Sequence, residues 1–152
     1  MYFPIFLNIS KSKFLIIGGG NIALAKLENI VQYTGNITIV AQEISEQVKQ
    51  IAVEKNLRII NESYSESHLD LGDIIIAATN DSIINQQISI EAKAVKKSIN
   101  VVDSPQLSDF IFGANIKRGN LNIAVSTLSQ YENNKRHPNF EILTQISQYF
   151  DV

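Results

Sequence analysis

The sequence holds no cysteine, no tryptophan, three prolines and two histidines among 152 residues. Without cysteine no disulfide and no thiolate metal site can form, and His68 and His137 are too widely separated to suggest an imidazole cluster of the zinc type. No protein-bound metal is expected. Positive charge is also scarce, because 13 Lys and Arg stand against 15 Asp and Glu, a formal net charge of -2. With no basic excess and no evident basic patch to contact phosphates, no nucleic-acid partner is expected. Long hydrophobic runs are missing as well. The apolar opening Met1-Tyr2-Phe3-Pro4-Ile5-Phe6-Leu7 has no basic leader, and Asn8 and Ser10 interrupt it before a signal peptide or a membrane span is complete. The expectation is a cytoplasmic protein with no membrane association.

What the sequence does hold is core material. Hydrophobic residues make up 45% and charged residues 18%, which excludes a disordered chain. A chain of this length buries roughly 70% of its unfolded surface and has no room for a second full domain.

Five short apolar runs, at residues 14–17, 37–41, 57–60, 73–78 and 99–102, read as strands. The stretches between the first three, and between the last two, read as helices. Successive β-branched residues, as in Ile74-Ile75-Ile76, imply burial on both faces, which suits a parallel sheet covered by helices rather than an antiparallel sheet with one wet face. The rhythm then changes. Residues 110–116 and 121–126 are apolar runs separated only by Lys117-Arg118-Gly119-Asn120, the pattern of a hairpin. After a polar loop, Phe140, Leu143, Ile146 and Phe150 recur at helical spacing and predict a short closing helix.

Gly18-Gly19-Gly20-Asn21-Ile22-Ala23 follows the first strand and opens a helix, the required context for the G-x-G-x-x-G/A dinucleotide fingerprint. Gly18 permits the tight turn, Gly20 lets the backbone approach a pyrophosphate, and small Ala23 lets the helix pack on the strand. The free amide groups and positive dipole end at Asn21 and Ile22 face the phosphates. At the end of the second strand, Gln42 and Glu43 are the candidates for the adenosine ribose, and Glu43 comes slightly late for that task. No Arg or Lys stands here for a 2′-phosphate, which favours NAD over NADP. The alternative for both residues is a solvated loop.

Thr79 and Asn80 follow the fourth strand, at the edge where open α/β sheets bind ligands. Asp81 reads as the N-terminal residue of a helix rather than as a reactive group. Asp103 follows the fifth strand, near the expected nicotinamide; Asp103-Ser104-Pro105 also has the composition of a turn.

The segments PIFL, GGGNIALAK, IAATND, NVVDSP, SDFIF and LNIAVST, in this order over about residues 2–127, resemble the amino-terminal module of siroheme synthases, the precorrin-2 dehydrogenase and sirohydrochlorin ferrochelatase family. The resemblance implies NAD-dependent oxidation of precorrin-2, a tetrapyrrole, to sirohydrochlorin, and in some members insertion of ferrous iron. It places the family's essential aspartate on Asp103. A carboxylate there is suited to accept the proton lost with the hydride. Lys117 and Arg118 are candidates for the substrate's carboxylates, or else a solvated turn. The resemblance also implies a homodimer through the hairpin arm, whose Phe110, Ile111, Phe112, Leu121, Ile123 and Val125 need cover.

The family usually continues with a Ser/Thr-Gly-Gly-x-Ser-Pro-like segment and a long helical portion that helps enclose the tetrapyrrole. Here the chain reads Thr127-Leu128-Ser129-Gln130, so Thr127 is given no role, and nucleotide binding is expected to survive the change better than catalysis. A shortened, non-catalytic NAD-binding module, either a decayed relative or a regulatory nucleotide domain, is the competing reading. The expected fold is a Rossmann-like, doubly wound α/β domain over residues 1–109, followed by a hairpin dimerisation arm and a shortened helical tail over residues 110–152.

Overall fold

The computed structural model describes residues 3–102, 104–119 and 121–125. The sequence-based assignments at Asp103, Asn120, Thr127 and the closing helix at residues 140–150 lie outside this set. The chain divides into two compact units, Met1–Phe110 and Ile111–Val152.

The first unit is a five-stranded parallel sheet in the order β3-β2-β1-β4-β5. Its strands are β1 (Phe14–Ile17), β2 (Ile37–Val40), β3 (Arg58–Ile60), β4 (Ile74–Ala77) and β5 (Ser98–Val101), and its helices α1 (Asn21–Ile30), α2 (Glu46–Glu54) and α3 (Ser82–Ala94). Every residue of the two central strands, β1 and β4, is buried, as their unbroken apolar sequences FLII and IIIA require. They pair in register, Leu15 beside Ile75 and Ile17 beside Ala77. Leu15, Ile75, Ile88 and Ile99 are fully buried in one core cluster, where each such side chain contributes about 1.5–3 kcal/mol relative to exposure. Strand order reverses between β1 and β4, which opens a crevice at the carboxyl ends of these strands.

The link from β3 to β4 contains a 3-10 turn, Glu66–Leu71, where the sequence offered no helix. Its start is closed by Ser65 N–H donating to Nδ1 of buried His68 at 3.0 Å. Its end is held by Lys97 Nζ, which donates to the carbonyl oxygens of Leu69 and Gly72.

The outer edge of β5 is covered by residues 104–110, so it is not left as a bare strand edge. Asp109 N–H donates to Ile99 O at 2.8 Å, and Asp109 Oδ2 accepts from Ile99 N–H at 3.1 Å. Ser108 Oγ accepts from Val101 N–H at 2.8 Å, and Asn100 Nδ2 donates to Phe110 O at 2.8 Å.

The second unit contains an antiparallel hairpin of β6 (Ala114–Arg118) and β7 (Leu121–Val125). The sequence placed Lys117 and Arg118 in the connection and began the strand at Phe110. Instead β6 starts at Ala114 and runs through both basic residues, which pair with Asn122 and Leu121. Gly119, at φ 55, lets the chain reverse within the short remaining link, where a two-residue connection matches the strand twist.

Candidate functional site

A cavity of about 610 Å³ lies over the carboxyl ends of β1, β2 and β4, and its described lining residues belong to the first unit. Residues 18–20, 41–45, 62–64 and 78–80 line it, with Ile84 and Gln87 of α3. Gly18, Gly20, Gln42, Glu43, Thr79 and Asn80 from the sequence reading all meet here.

The three glycines at its floor have different reasons to be glycine. Gly18 has φ 127, and a Cβ on it would lie 2.2 Å from Ala78 O, so the turn itself excludes a side chain. Gly19, which the fingerprint leaves unspecified, would place a Cβ 2.3 Å from Glu43 O. Gly20 has an ordinary φ of -89, and nothing lies within 4 Å of its ideal Cβ. The protein makes no steric demand for glycine at this position. Its missing side chain leaves space beside the helix terminus, as a closely approaching ligand requires.

The start of α1 is uncapped. Leu24 N–H donates to Gly20 O at 2.9 Å, but the N–H groups of Asn21, Ile22 and Ala23 have no acceptor among the described residues, and no side chain caps the helix. By contrast, Ser45 caps α2 through Val48 N–H, and Asp81 caps α3 through Ile83 and Ile84 N–H, the role its sequence position suggested. Three donors and a positive dipole end beside an open cradle fit a dinucleotide pyrophosphate. The side chains of Asn21 and Ile22 do not line the cavity, and Ala23 is buried against the sheet. These residues can serve a phosphate only through their backbone.

Two asparagines missed in the sequence hold the cavity walls. Asn61 Nδ2 donates to Gln42 O at 2.6 Å, fixing the turn that carries Gln42 and Glu43. Buried Asn85 accepts from Thr79 N–H at 3.1 Å and from Thr79 Oγ1 at 2.7 Å, and its Nδ2 donates to Thr79 O at 3.0 Å. The spacing of Asn85, Ile88, Ser89 and Ala92 on one helical face was the available signal, since a polar residue on a buried stripe needs partners. Asn85→Ala is expected to destabilise the fold by about 1–3 kcal/mol, because Thr79 N–H and O lose their partners. Denaturant titration measures this loss, and dinucleotide affinity should fall with it as Thr79 is released.

Among the described residues no Lys or Arg lines the cavity, and no cluster of His, Asp or Glu is placed to hold a metal. No helix among them is long and apolar enough to cross a membrane. Lys117 is exposed on β6 in the second unit, and Arg118 follows it on that strand.

Residues 5–114 match the family described as "Putative NAD(P)-binding". Residues 120–152 match a helix-turn-helix family, although the described part of that range, Leu121–Val125, is strand β7. That second match bears on the expectation of no nucleic-acid partner, which rested on charge alone. The chain is 36% identical over 125 residues to siroheme synthase of Psychrobacter cryohalolentis, covering 82% of this chain and 24% of that protein. It is 36% identical over 126 residues to siroheme synthase of Pseudomonas fluorescens, covering 83% and 27% respectively. The chain thus spans about a quarter of the length of these curated relatives. The solved structure titled "SirC, precorrin-2 dehydrogenase" superposes with a TM-score of 0.77 at 24% identity, over 97% of this chain and 71% of that one, and shares its fold. With the glycine turn at the strand reversal, the open cradle at Gly20 and a match that spans most of the first unit, the chain belongs to the NAD(P)-binding family and is a homologue of part of the siroheme synthases.

Proposed function

We propose that this chain binds NAD and oxidises precorrin-2 to sirohydrochlorin. The observation that carries the cofactor half is the open space at Gly20 beside three N–H groups that have no acceptor among the described residues. The substrate half rests on homology to siroheme synthases. Bound NAD supplies the hydride acceptor. The chain's own residues do the rest. Asn21, Ile22 and Ala23 donate backbone N–H groups to the pyrophosphate. Gln42 or Glu43 takes the adenosine ribose, and the lack of a cation among the described lining residues favours NAD over NADP.

Thr79 and Asn80 lie toward the nicotinamide. Asp103 accepts the proton that leaves the macrocycle with the hydride, which balances the oxidation: one hydride to the cofactor, one proton to the carboxylate. Lys117 and Arg118 meet substrate carboxylates, and insertion of ferrous iron into the product is a second, separable step. The setting is cytoplasmic. Anaerobic incubation of the purified chain with precorrin-2 and NAD tests the reading directly: sirohydrochlorin absorption and NADH should rise together, one for one. NAD binding without either product would overturn it.

The hairpin arm is the proposed homodimer contact, since a two-stranded ribbon needs apolar cover in water and Leu121 is exposed. Sedimentation at micromolar concentration is expected to give a dimer; a fully active monomer would remove the proposal. The helix-turn-helix match of residues 120–152 favours a second reading, a non-catalytic NAD-binding module with a regulatory role. NAD-dependent binding of duplex DNA, together with no turnover of precorrin-2, would establish it over the first.

A further inference from the structure

One wall of the cavity is left over after the phosphate and ribose contacts proposed above. It is formed by Tyr64, Ile84 and Gln87. Glu91, one helical turn beyond Gln87 on α3, binds both polar side chains of that wall. Its Oε1 accepts from Gln87 Nε2 at 2.8 Å, and its Oε2 accepts from the Tyr64 hydroxyl at 2.6 Å. An ionised carboxylate can only accept hydrogen bonds. Gln87 must therefore turn its NH₂ group toward Glu91, and its Oε1, without a partner among the described residues, is the amide atom left for a ligand. Burial, and then the bond to Glu91, push the Tyr64 hydroxyl well above its ordinary pKa, so it stays protonated and its one hydrogen is committed to Glu91. Tyr64 offers the cavity its ring rather than a donor.

This wall shares the cavity with the residues proposed above for the adenosine ribose. Tyr64 follows β3, which pairs with β2, the strand whose end carries Gln42 and Glu43. Ala41, Ile84 and the Tyr64 ring give apolar cover suited to a flat heteroaromatic base. We infer that Gln87 Oε1 accepts a hydrogen bond from the exocyclic amine of the purine, and that Glu91, by orienting Gln87, makes the site selective for a 6-amino over a 6-oxo purine dinucleotide. The inference rests on the cavity being the NAD site. A 6-oxo purine sets an oxygen against Gln87 Oε1, acceptor facing acceptor, and a polar group desolvated without a partner is costly enough to give discrimination of about tenfold or more.

Calorimetric titration of the full chain with NAD and with nicotinamide hypoxanthine dinucleotide tests this without reference to turnover. The wild type is expected to bind NAD about tenfold tighter than the hypoxanthine analogue. Gln87 is exposed, so Gln87→Leu should fold, and it should bring the two affinities to within about twofold. Glu91→Gln replaces an obligate acceptor with a group that also donates; Gln87 can then turn over, and the hypoxanthine analogue should gain affinity severalfold. Circular dichroism checks the fold of both variants. Equal affinities in the wild type, or a preference that persists unchanged in Gln87→Leu, would overturn the role of Gln87 while leaving the cofactor site in place. Failure of the wild type to bind either dinucleotide would overturn the site and this inference together.

Discussion

Gly20→Val is expected to lower NAD affinity by about a hundredfold or more and to leave the protein folded. The Cβ at this position meets nothing within 4 Å, and φ is -89, so valine strains neither backbone nor neighbours. Its cost to stability is the small loss of replacing glycine at a helix N-cap with a poorer capping residue, about 1 kcal/mol. The branched side chain instead fills the space beside Asn21, Ile22 and Ala23, and keeps a pyrophosphate from their N–H groups. Losing two or more charge-assisted hydrogen bonds at about 1.5–3 kcal/mol each accounts for a hundredfold change.

Gly18→Ala is the contrasting control. There the added Cβ collides with Ala78 O at 2.2 Å on a backbone with φ 127, and destabilisation of several kcal/mol is expected. Thermal melting and calorimetric titration of the two variants separate a ligand-imposed glycine from a fold-imposed one. Wild-type NAD affinity in folded Gly20→Val would show that no phosphate lies there.

Asp103→Asn is expected to lower turnover of precorrin-2 by about 10²-fold or more while NAD affinity barely moves. The substitution preserves shape and removes both the charge and the basicity. Val102 N–H donates to Ala77 O at 3.0 Å, at the end of β4, and Ser104 N–H donates to Val101 O at 3.2 Å. The chain therefore leaves β5 at the edge of the sheet that carries the cavity, on the strand next to β4. If the proposed role of Asp103 holds, kcat should fall without a matching change in cofactor binding. Unchanged turnover in Asp103→Asn would reduce the residue to a turn former.

The parallel sheet and the glycine turn at the cavity floor were legible in the sequence because each depends on neighbours along the chain. Unbroken apolar runs announce strands buried on both faces, and β1 and β4 are buried throughout. Gly18 and Gly20 can be read because the turn, the helix start and the approach of phosphate all involve consecutive residues. Asp81 could be assigned to the cap of α3 for the same reason. The hairpin was recognisable, but its limits were not. The sequence marks where polarity changes, whereas cross-strand pairing extends β6 through Lys117 and Arg118.

What tertiary structure alone decided is the walls of the cavity. Asn61 acts on Gln42 across 19 residues, and Tyr64 meets Glu91 across 27. No local pattern pairs such residues, because their meeting depends on strand order. The crossover from β3 to β4 brings residues 62–64 beside α3, and only the folded sheet sets Tyr64 against Glu91 and makes Gln87, its i,i+4 partner, part of a cavity wall.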